Sequence, residues 1–552
     1  MGDIMATPLL PQVIAPLILG VTLHLGLFIR GEWGLYAASV ASGHAVLFAL
    51  VLARQLVIAP ALWYVSAIPI AAYLFGLLAS MTVYRLFFHR LRSFPGPRLA
   101  AVTKLWHMWK CRTAQNHLVL DSLRHYGPFV RTGPSEITIF HPAGVEYLNA
   151  PQNSNTRSDW YDLLYPTVGV FSRDPAIHVA RAKVWNKATA PGRRFLSPIC
   201  RPVSLLTLTP AAMKQYVQRI SDHVLKFETA ISALAGKPTV VNDLIYDMSF
   251  DIIADIGFGT RELDSREGAD VVGNALTIIG PTVPGPWITR LALSLFPGLW
   301  RLPHWMMLFG YTIGIVEKRL KTKPDGVDVA SFLIEDTQRK DADKISHEAL
   351  LGDSGVMLLA GSTTGPVFIL ILYLLARFPE EAEKIRQELR GVDYNDMVAL
   401  SALPHITGAI NEALRLFPAG PTFGSRQTPP EGLDCDGVYI PGGVKIVAPR
   451  WSIGRLEEAF EDPHNFIPER WYSKPELVKD KRAHAPFSLG RYTCSGKRIA
   501  MAQLRLTLAV LLTKYSVSFA PGIKDEMLAE KEMRDQLTPL PGDLELVFEE
   551  LK

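Results

Sequence analysis

One segment in the C-terminal part of this 552-residue sequence holds a single cysteine between two glycines, and it reads Pro486-Phe487-Ser488-Leu489-Gly490-Arg491-Tyr492-Thr493-Cys494-Ser495-Gly496-Lys497. Periodic apolar residues from Ile499 to about Leu512 predict a helix directly after it. Glycine permits close backbone approaches, and the N-terminus of a helix offers free N–H groups that stabilise an anion. The segment is therefore suited to hold a thiolate, as an axial ligand of a metal does. A buried structural cysteine is the alternative.

Two other patterns precede this segment. One is Glu412-Ala413-Leu414-Arg415, and the other is Pro468-Glu469-Arg470-Trp471. Positions three apart share one face of a helix, so Glu412 and Arg415 can form an ion pair and present it to Arg470.

The pattern F-x-x-G-x-x-x-C-x-G resembles the haem-binding loop of the cytochrome P450 monooxygenases, and the two other patterns resemble the E-x-x-R and P-E-R-F motifs of that family. The resemblance covers residues 90–552. It implies haem b with Cys494 as the axial ligand of the iron, because thiolate ligation favours O–O cleavage. It also implies a buried charge triad beside the haem and a mainly α fold with small β-sheets, preceded by N-terminal transmembrane helices.

The segment Ala360-Gly361-Ser362-Thr363-Thr364 is similar to the family's A-G-x-[D/E]-T segment, which lies in a long helix over the oxygen-binding face of the haem. The resemblance implies that Thr364 is catalytic, because its hydroxyl can guide the proton needed to split the O–O bond. Thr363, which we also assign to catalysis, stands where the family usually has an acid. The proton can instead be delivered by a water chain or by another acid, or the chemistry tolerates slow protonation; all three alternatives stay open. An ordinary helix surface is the alternative for the threonine pair.

Other haem contacts follow from the resemblance. Arg426 matches a family arginine that pairs with a haem propionate, and a guanidinium can donate two parallel hydrogen bonds to a carboxylate. The basic segment 181–187 lies where the family has W-x-x-x-R; that pattern is absent, so Trp185 is a candidate contact and a solvated basic face is the alternative. Tyr492 stands where Arg or His is common, and either Tyr492 or Arg491 can reach a propionate. The predicted cofactor-binding residues are Phe487, Gly490, Arg491, Cys494, Gly496, Arg426 and Trp185.

By the same resemblance, substrate contacts come from residues 159–170, 357–364, 419–423 and 536–540. Apolar residues are frequent in these segments, which favours a lipophilic substrate. The alternative is that they are part of the core.

The first 90 residues contain three long runs without Asp, Glu, Lys or Arg, at residues 4–29, 33–53 and 55–84. Each run can cross a bilayer, which takes about 20 apolar residues. A cleaved signal peptide has one short apolar stretch behind a basic start, so we expect this segment to stay in the mature protein. Basic residues at 85–92 indicate that the chain after residue 90 is cytoplasmic. The sequence predicts a membrane anchor of three helices over 1–90 and a haem-thiolate catalytic domain over 91–552. In the alternative, only one run is the anchor, and the other two pack on the domain or lie in the membrane interface.

Local signals subdivide the rest of the chain. Pro95-Gly96-Pro97 cannot continue a helix and predicts a stiff hinge. An apolar stretch over 367–376 ends before Pro379, which can open another helix. Alternating residues predict short strands at 137–140 and 443–447.

Charge and cysteine content argue against several classes of protein. The net charge is only +4, from 57 Lys plus Arg and 53 Asp plus Glu, and no stretch interleaves basic with aromatic residues, so we expect no nucleic-acid partner. The four cysteines include no C-x-x-C pair, which argues against a zinc cluster and a disulfide framework.

We therefore predict a monooxygenase of the endoplasmic reticulum membrane, similar to microsomal enzymes of filamentous fungi that tailor specialised metabolites. It would insert one oxygen atom from O2 into a lipophilic small molecule, and the resemblance implies NADPH-cytochrome P450 reductase as the electron donor. One rival is a haem-thiolate isomerase or dehydratase that needs no reductase, which Thr363 supports. Another is a non-catalytic membrane-bound binding protein.

Overall fold

Three apolar helices precede a mainly helical body in the computed structural model, which describes residues 9–30, 33–164, 169–189, 210–282, 284–296, 298, 302–324, 326–339, 344–523 and 531–551. The α-helices in these residues are α1 Leu9–Leu23, α2 Ala37–Ile58, α3 Ala67–Val83, α4 Arg98–Val102, α5 Leu105–Lys110, α6 Asn116–Asp121, α7 Gly144–Asn149, α8 Pro175–Thr189, α9 Pro210–Ala233, α10 Asn242–Phe258, α11 Ser265–Thr282, α12 Pro286–Leu295, α13 Leu302–Lys321, α14 Val329–Thr337, α15 Lys344–Ser362, α16 Thr364–Arg377, α17 Pro379–Leu389, α18 Met397–Ala402, α19 Pro404–Leu416, α20 Arg450–Ile453 and α21 Lys497–Lys514. The strands are β1 Phe129–Gly133, β2 Glu136–Ile139, β3 Thr156–Arg157, β4 Thr239–Val240, β5 Arg426–Gln427, β6 Leu433–Cys435, β7 Val438–Ile440, β8 Lys445–Val447, β9 Tyr515–Phe519, β10 Arg534–Gln536, β11 Thr538–Leu540 and β12 Glu545–Glu550.

The largest sheet joins strands from distant parts of the chain in the order β1-β2-β8-β5-β3. β2 and β8 run parallel, and the other neighbours run antiparallel. These two strands confirm the short strands predicted at 137–140 and 443–447. At the edge of the sheet, Arg157 of β3 lies directly opposite Arg426 of β5.

The core of the body is built by α10, α15, α16, α19 and α21, whose buried apolar residues form one cluster. Every residue of α16 from Thr364 to Leu375 is buried. α17 begins at Pro379, as predicted, because proline suits the first turn of a helix. α21 extends beyond the predicted 499–512 at both ends. The mainly α fold with small sheets is confirmed.

The three N-terminal helical stretches that are long and apolar enough to cross a membrane are Pro11–Phe28, Trp33–Ile58 and Pro60–Phe88. A fourth stretch of such length and composition, Ser346–Arg377, comprises most of α15 and all of α16, and 72% of its apolar window is buried within the protein, so it belongs to the core.

α1 and α3 approach each other at two glycines. A Cβ atom on Gly20 would lie 2.2 Å from the carbonyl oxygen of Tyr73, and one on Gly76 would lie 2.2 Å from that of Leu17. Small residues allow membrane helices to approach this closely. Any larger side chain at either position would push α1 and α3 apart.

The apolar helices also contact the helical body. α12 touches both α2 and the turn Trp33–Tyr36. The predicted hinge is packed rather than free, because the Arg131 N–H donates to the carbonyl oxygen of Pro95 at 2.7 Å. A Cβ atom on Gly96 would lie only 2.4 Å from the carbonyl oxygen of Arg131. The division of the chain at residue 90 stays a prediction.

Candidate active site

The cysteine loop is shaped by two residues with left-handed backbone conformation. Ser488 has φ of 61° and Gly490 has φ of 58°. A Cβ atom on Gly490 would lie 2.3 Å from the carbonyl oxygen of Asn149, so only glycine fits there. The Cys494 N–H donates to the carbonyl oxygen of Phe487 at 2.8 Å and closes the loop just before α21.

The Cys494 side chain is exposed, whereas Cys111 and Cys435 are buried. Desolvation by the surrounding protein raises the pKa of the Cys494 thiol, and hydrogen bonds from the Gly496 and Lys497 N–H groups oppose that shift, as does the Lys497 charge. Backbone N–H groups that donate to sulfur stabilise its ionised form. The loop can thus support a thiolate on a bound metal.

The long core helix is interrupted at Thr363, between α15 and α16. Pro366 explains the break, because a proline has no N–H to donate to the carbonyl oxygen four residues earlier, here that of Ser362. The Thr363 N–H instead bonds to the carbonyl oxygen of Ala360 at 3.3 Å. The resemblance implied one long helix, and proline is the reason that the structure has two.

The hydroxyl groups at this break have different partners. Ser362 donates to the carbonyl oxygen of Leu358 at 2.8 Å, and Thr363 donates to that of Ala360 at 2.6 Å. Thr364 is 9% exposed, and its hydroxyl forms no hydrogen bond with any described residue. Of the two predicted catalytic threonines, Thr364 is therefore the one whose hydroxyl can donate a hydrogen bond to a ligand.

Two buried arginines of the largest sheet lie against the cysteine loop. Arg157 and Arg426 are 4% and 3% exposed. Their guanidinium carbons lie 4.9 and 4.0 Å from the ring centre of Tyr492, two positions before Cys494. Both also lie over the ring of Tyr161, to whose hydroxyl Arg426 donates at 3.0 Å. Cation–π contacts with these two rings hold both positive charges.

Neither arginine has a carboxylate partner among the described residues. Arg426 donates to the carbonyl oxygen of Ser425 at 3.0 Å, and Arg157 donates to those of Val170 and, at 3.1 Å, Ser172. The Nε atoms of both arginines are buried without a described partner. Desolvation lowers the pKa of Arg157 to about 10, and the charge of Arg426 contributes. Two uncompensated buried cations suit an anionic ligand.

A histidine of α8 completes the surroundings of Tyr492. The His178 ring centre lies 4.9 Å from that of Tyr492, and its Nε2 lies 3.0 Å from the carbonyl oxygen of Arg491. The Arg491 side chain is exposed and donates to the carbonyl oxygen of Asn153.

The predicted charge triad is present and fully buried. Glu412 accepts from Arg415 at 2.9 and 2.7 Å and from Arg470 at 2.8 Å, and all three side chains are 0% exposed. The Trp471 indole N–H donates to the same carboxylate at 2.9 Å. The remaining guanidinium N–H groups donate to backbone carbonyls between residues 454 and 477. The triad therefore fixes the long irregular segment that precedes the cysteine loop.

Residues 106–546 match the sequence model of the Cytochrome P450 family. The chain belongs to the cytochrome P450 family. It is 31% identical to a tryprostatin B 6-hydroxylase of Aspergillus fumigatus over 529 residues, which cover 92% of this chain and 90% of the relative. It is also 31% identical to the cytochrome P450 monooxygenase notG' of Aspergillus versicolor, covering 93% of each chain, and to the cytochrome P450 monooxygenase phqL of Penicillium fellutanum, covering 96% and 93%.

Cytochromes P450 are haem-thiolate proteins, and the residues of this chain fit that group. Haem iron takes a thiolate ligand, for which Cys494 is exposed and supported by N–H groups. Haem also carries two propionate carboxylates. The buried arginines beside Tyr492, whose Nε atoms have no described partner, supply the positive charge that such carboxylates neutralise.

Most of the predicted cofactor-binding residues share one loop: Phe487, Gly490, Arg491, Cys494 and Gly496. Arg426 is brought to this loop through the ring of Tyr492. Both options for a propionate contact have backbone partners: the Arg491 side chain donates to the carbonyl oxygen of Asn153, and the Tyr492 hydroxyl donates to that of Asn155 at 3.3 Å. The assignment of these residues to haem stays a prediction.

Trp185 lies on α8, where the basic face proves to be partly internal. Arg181 is 3% exposed and pairs with Asp353 of α15 at 2.8 Å and with Asp336 of α14. Burial raises the pKa of Asp353, and Arg181 and the Val170 N–H, which both donate to its carboxylate, oppose that shift. Trp185 is 8% exposed, and its indole N–H is buried without a hydrogen-bond partner among the described residues. Its contact with haem stays a prediction.

Sequence reasoning missed two residues that contact Tyr492, Arg157 and His178. Tyr161 belongs to the segment 159–170, which was predicted to contact substrate, and the structure places it against Arg426 instead. The pairing of β3 with β5 and the packing of α8 on the loop bring these residues together, and neither leaves a local signal in the sequence.

Two of the four predicted substrate segments meet in the structure, and a third begins next to them. Trp160 packs edge-on against Phe423, with ring centres 4.9 Å apart. Thr422 donates to Asp535, the residue before segment 536–540, at 2.5 Å. A cavity is lined by Trp160, Thr422 and Phe423 and also by the polar residues Lys104, His107, Asn116, Glu136 and Lys445. Residues 165–168 of the first segment lie outside the described residues.

Proposed function

We propose that this cytochrome P450 is a monooxygenase that inserts one oxygen atom from O2 into a lipophilic small molecule, as a tailoring step of specialised metabolism. The observation that carries the proposal is the exposed Cys494 side chain at the start of α21, in a loop that the Cys494 N–H closes on the carbonyl oxygen of Phe487. Relatives named as a hydroxylase and as monooxygenases support the reaction class.

Haem b would be held by Cys494 on its iron and by Arg426 on a propionate, and it supplies the chemistry that activates O2 when bound. The chain's own residues then bind substrate and control protons. The aromatic pair Trp160 and Phe423 offers an apolar surface to a lipophilic molecule. The Thr364 hydroxyl can donate a hydrogen bond and pass a proton from water at the break between α15 and α16.

Electrons come, in this proposal, from NADPH-cytochrome P450 reductase, with both proteins on the endoplasmic reticulum membrane and the catalytic domain in the cytoplasm. The three apolar helices ahead of the body and the basic residues that follow them support this arrangement.

The proposal is tested by spectroscopy and assay of the purified full-length protein. The reduced carbon monoxide complex should absorb as thiolate-ligated haem does. Comparison of metabolites in cells with and without the gene should identify a substrate and a product that gains one oxygen atom with consumption of NADPH. A protein without haem would contradict the proposal and favour the binding protein.

A haem-thiolate isomerase or dehydratase is the second candidate, because Thr363 offers no carboxylate and its hydroxyl is bound to Ala360. Turnover of the same substrate without NADPH and reductase would establish this candidate in place of the monooxygenase.

Removal of residues 1–90 is expected to release the protein from tight membrane insertion, because the three exposed apolar helical stretches lie there. The truncation would also remove α2 from its contact with α12. Leu295 and Phe296 at the end of α12 are exposed, so they can still associate peripherally with the membrane surface. Extraction with alkaline carbonate measures the change against the full-length protein. Resistance of the truncated protein to extraction would show that another integral segment exists after residue 90.

Thr364→Ala is expected to lower the ratio of product formed to NADPH oxidised and to increase release of hydrogen peroxide, because it removes the available hydroxyl while the haem site is intact. General acid–base assistance contributes about 10²- to 10⁴-fold to rates, and water can replace part of it. Thr363→Asp is expected to raise the same ratio. An aspartate is compatible with this position, which is the N-cap of α16. An unchanged ratio in Thr364→Ala would mean that this helix does not direct protons and would favour the isomerase.

A further inference from the structure

One cavity places charged groups of the largest sheet beside the aromatic pair that we assign to substrate. Trp160 and Phe423 line it together with Lys445 of β8. Lys445 lies directly opposite Gln427 of β5, the residue after Arg426, and side chains alternate between the two faces of a strand. Lys445 therefore lies on the face of the sheet opposite to that of Arg426, so the cavity is separate from the predicted haem contact.

The Lys104 ammonium at this cavity is fully engaged within the protein. It donates to Glu136 at 2.6 Å and to the carbonyl oxygen of Thr132 at 3.3 Å, and it lies 3.0 Å from Nδ1 of His107. Burial and the charge of Lys104 lower the pKa of His107 to about 3, so the ring is neutral and Nδ1 can accept this bond. All three N–H groups of Lys104 thus have protein partners.

Two other donors at the cavity are not satisfied in this way. The Lys445 ammonium lies 3.5 Å from Glu136 and 3.7 Å from Asp159, and these distances are long for hydrogen bonds. Trp160 is 2% exposed, and its indole N–H has no hydrogen-bond partner among the described residues. A buried donor without an acceptor costs free energy. An oxygen atom of a ligand in the cavity would satisfy both groups.

The charges of the ion-pair cluster at the cavity balance, because Lys104 and Lys445 face Glu136 and Asp159. Burial lowers the pKa of Lys445, but Asp159 and Glu136 outweigh burial and raise it, so Lys445 stays protonated. A carboxylate would add an uncompensated buried charge, whereas a carbonyl group adds none. The cavity volume of about 30 Å³ suits one small polar group and not a ring system.

We propose that the substrate carries a neutral carbonyl group, as in an amide or a ketone, whose oxygen accepts hydrogen bonds from Trp160 and Lys445 in this cavity. The inference rests on the proposed monooxygenase function and narrows its substrate class to lipophilic carbonyl compounds. The apolar part of the molecule would lie against the rings of Trp160 and Phe423. Such a site rejects an analogue without the carbonyl, because that analogue leaves the buried donors unpaired.

Ordered water is the competing occupant, because a cavity of this size and polarity can hold it. The two explanations differ in what they predict for related ligands. Water that stays in place would give a carbonyl compound no advantage over a hydrocarbon of the same shape. The preference for the carbonyl compound is therefore the decisive measurement.

The experiment measures the binding of three naphthalene probes to the purified, haem-loaded full-length protein by the change in haem absorbance. The probe 2-acetylnaphthalene is a ketone, 2-isopropylnaphthalene has the same shape without oxygen, and 2-naphthoate is a carboxylate. The ketone is expected to bind with a dissociation constant at least about tenfold below those of the other two, because it alone satisfies the donors without adding charge. Equal affinities for ketone and hydrocarbon, no binding of the ketone, or tightest binding of the carboxylate would each overturn the inference.

Two variants test the donors separately. Trp160→Phe keeps an aromatic ring without the N–H, and Lys445→Met keeps an apolar chain without the ammonium. Each is expected to weaken binding of the ketone by about three- to tenfold while binding of the hydrocarbon stays the same. If Lys445→Met does not accumulate, Trp160→Phe decides the question alone. An unchanged preference for the ketone in Trp160→Phe would contradict the inference.

Trp305→Phe is the matched control. Trp305 is 5% exposed, and its indole N–H also has no partner among the described residues, but it lies on α13 outside the residues that line the cavity. This variant should keep the full preference for the ketone, and loss of the preference here would overturn the assignment to Trp160. A wild-type protein purified without haem would instead overturn the proposed function.

Discussion

Purified Cys494→Ser protein is expected to have no monooxygenase activity and to lose the thiolate-type absorbance of its reduced carbon monoxide complex. A serine hydroxyl is a hard, protonated donor, whereas the cysteine thiolate is a soft ligand that donates electron density to iron. The N–H groups of Gly496 and Lys497 that donate to the sulfur cannot replace this function. The loop backbone should persist, because its closing bond from Cys494 to Phe487 uses only backbone atoms.

The matched control is Cys111→Ser, at a buried cysteine whose thiol donates to the Asn116 side chain at 3.2 Å. A serine hydroxyl can donate to the same acceptor. The control should therefore keep both the spectrum and the activity. Normal turnover with a thiolate-type spectrum in Cys494→Ser would show that the axial assignment is wrong.

The sequence was sufficient for those parts of the site that lie on one segment. The cysteine loop, the helix after it and the pair Glu412 and Arg415 depend on positions that are close in the chain, so their spacing and the resemblance to family motifs together predict them. The break at Thr363 was not predicted, although Pro366 stands in the sequence and a proline lacks the N–H that a continuous helix needs.

The family resemblance named Arg426, but the sequence did not predict that the sheet also brings Arg157 to the loop. Arg157 and Arg426 are 269 positions apart in the chain and become neighbours only through the register of β3 with β5. Arg181 is a comparable case. It belongs to a basic segment for which a solvated face was the alternative, but ion pairs with one aspartate on α14 and one on α15 hold Arg181 in the interior. Long-range pairing of this kind has no local pattern in a single sequence.

The charge triad predicts the largest effect on stability. Glu412→Ala is expected to lower the free energy of unfolding by about 3–5 kcal/mol, because removal of one partner leaves buried charge uncompensated. Here the loss would leave Arg415 and Arg470, both with side chains 0% exposed, without the carboxylate that lies between them. The Trp471 indole would lose its acceptor as well.

The measurement is the thermal midpoint for loss of the reduced carbon monoxide absorbance, together with the yield of haem-loaded protein. Glu412→Asp keeps the charge on a shorter side chain and should retain part of the stability. Glu335→Ala is the control. Its ion pair with Lys187 joins side chains that are 62% exposed for Glu335 and 58% exposed for Lys187, and exposed ion pairs contribute little to stability. The guanidinium groups of Arg415 and Arg470 also hold the backbone between residues 454 and 477. The yield of haem-loaded Glu412→Ala should therefore fall, although Glu412 has no direct contact with the cysteine loop among the described residues. Equal midpoints for Glu412→Ala and Glu335→Ala would mean that the triad does not stabilise the fold.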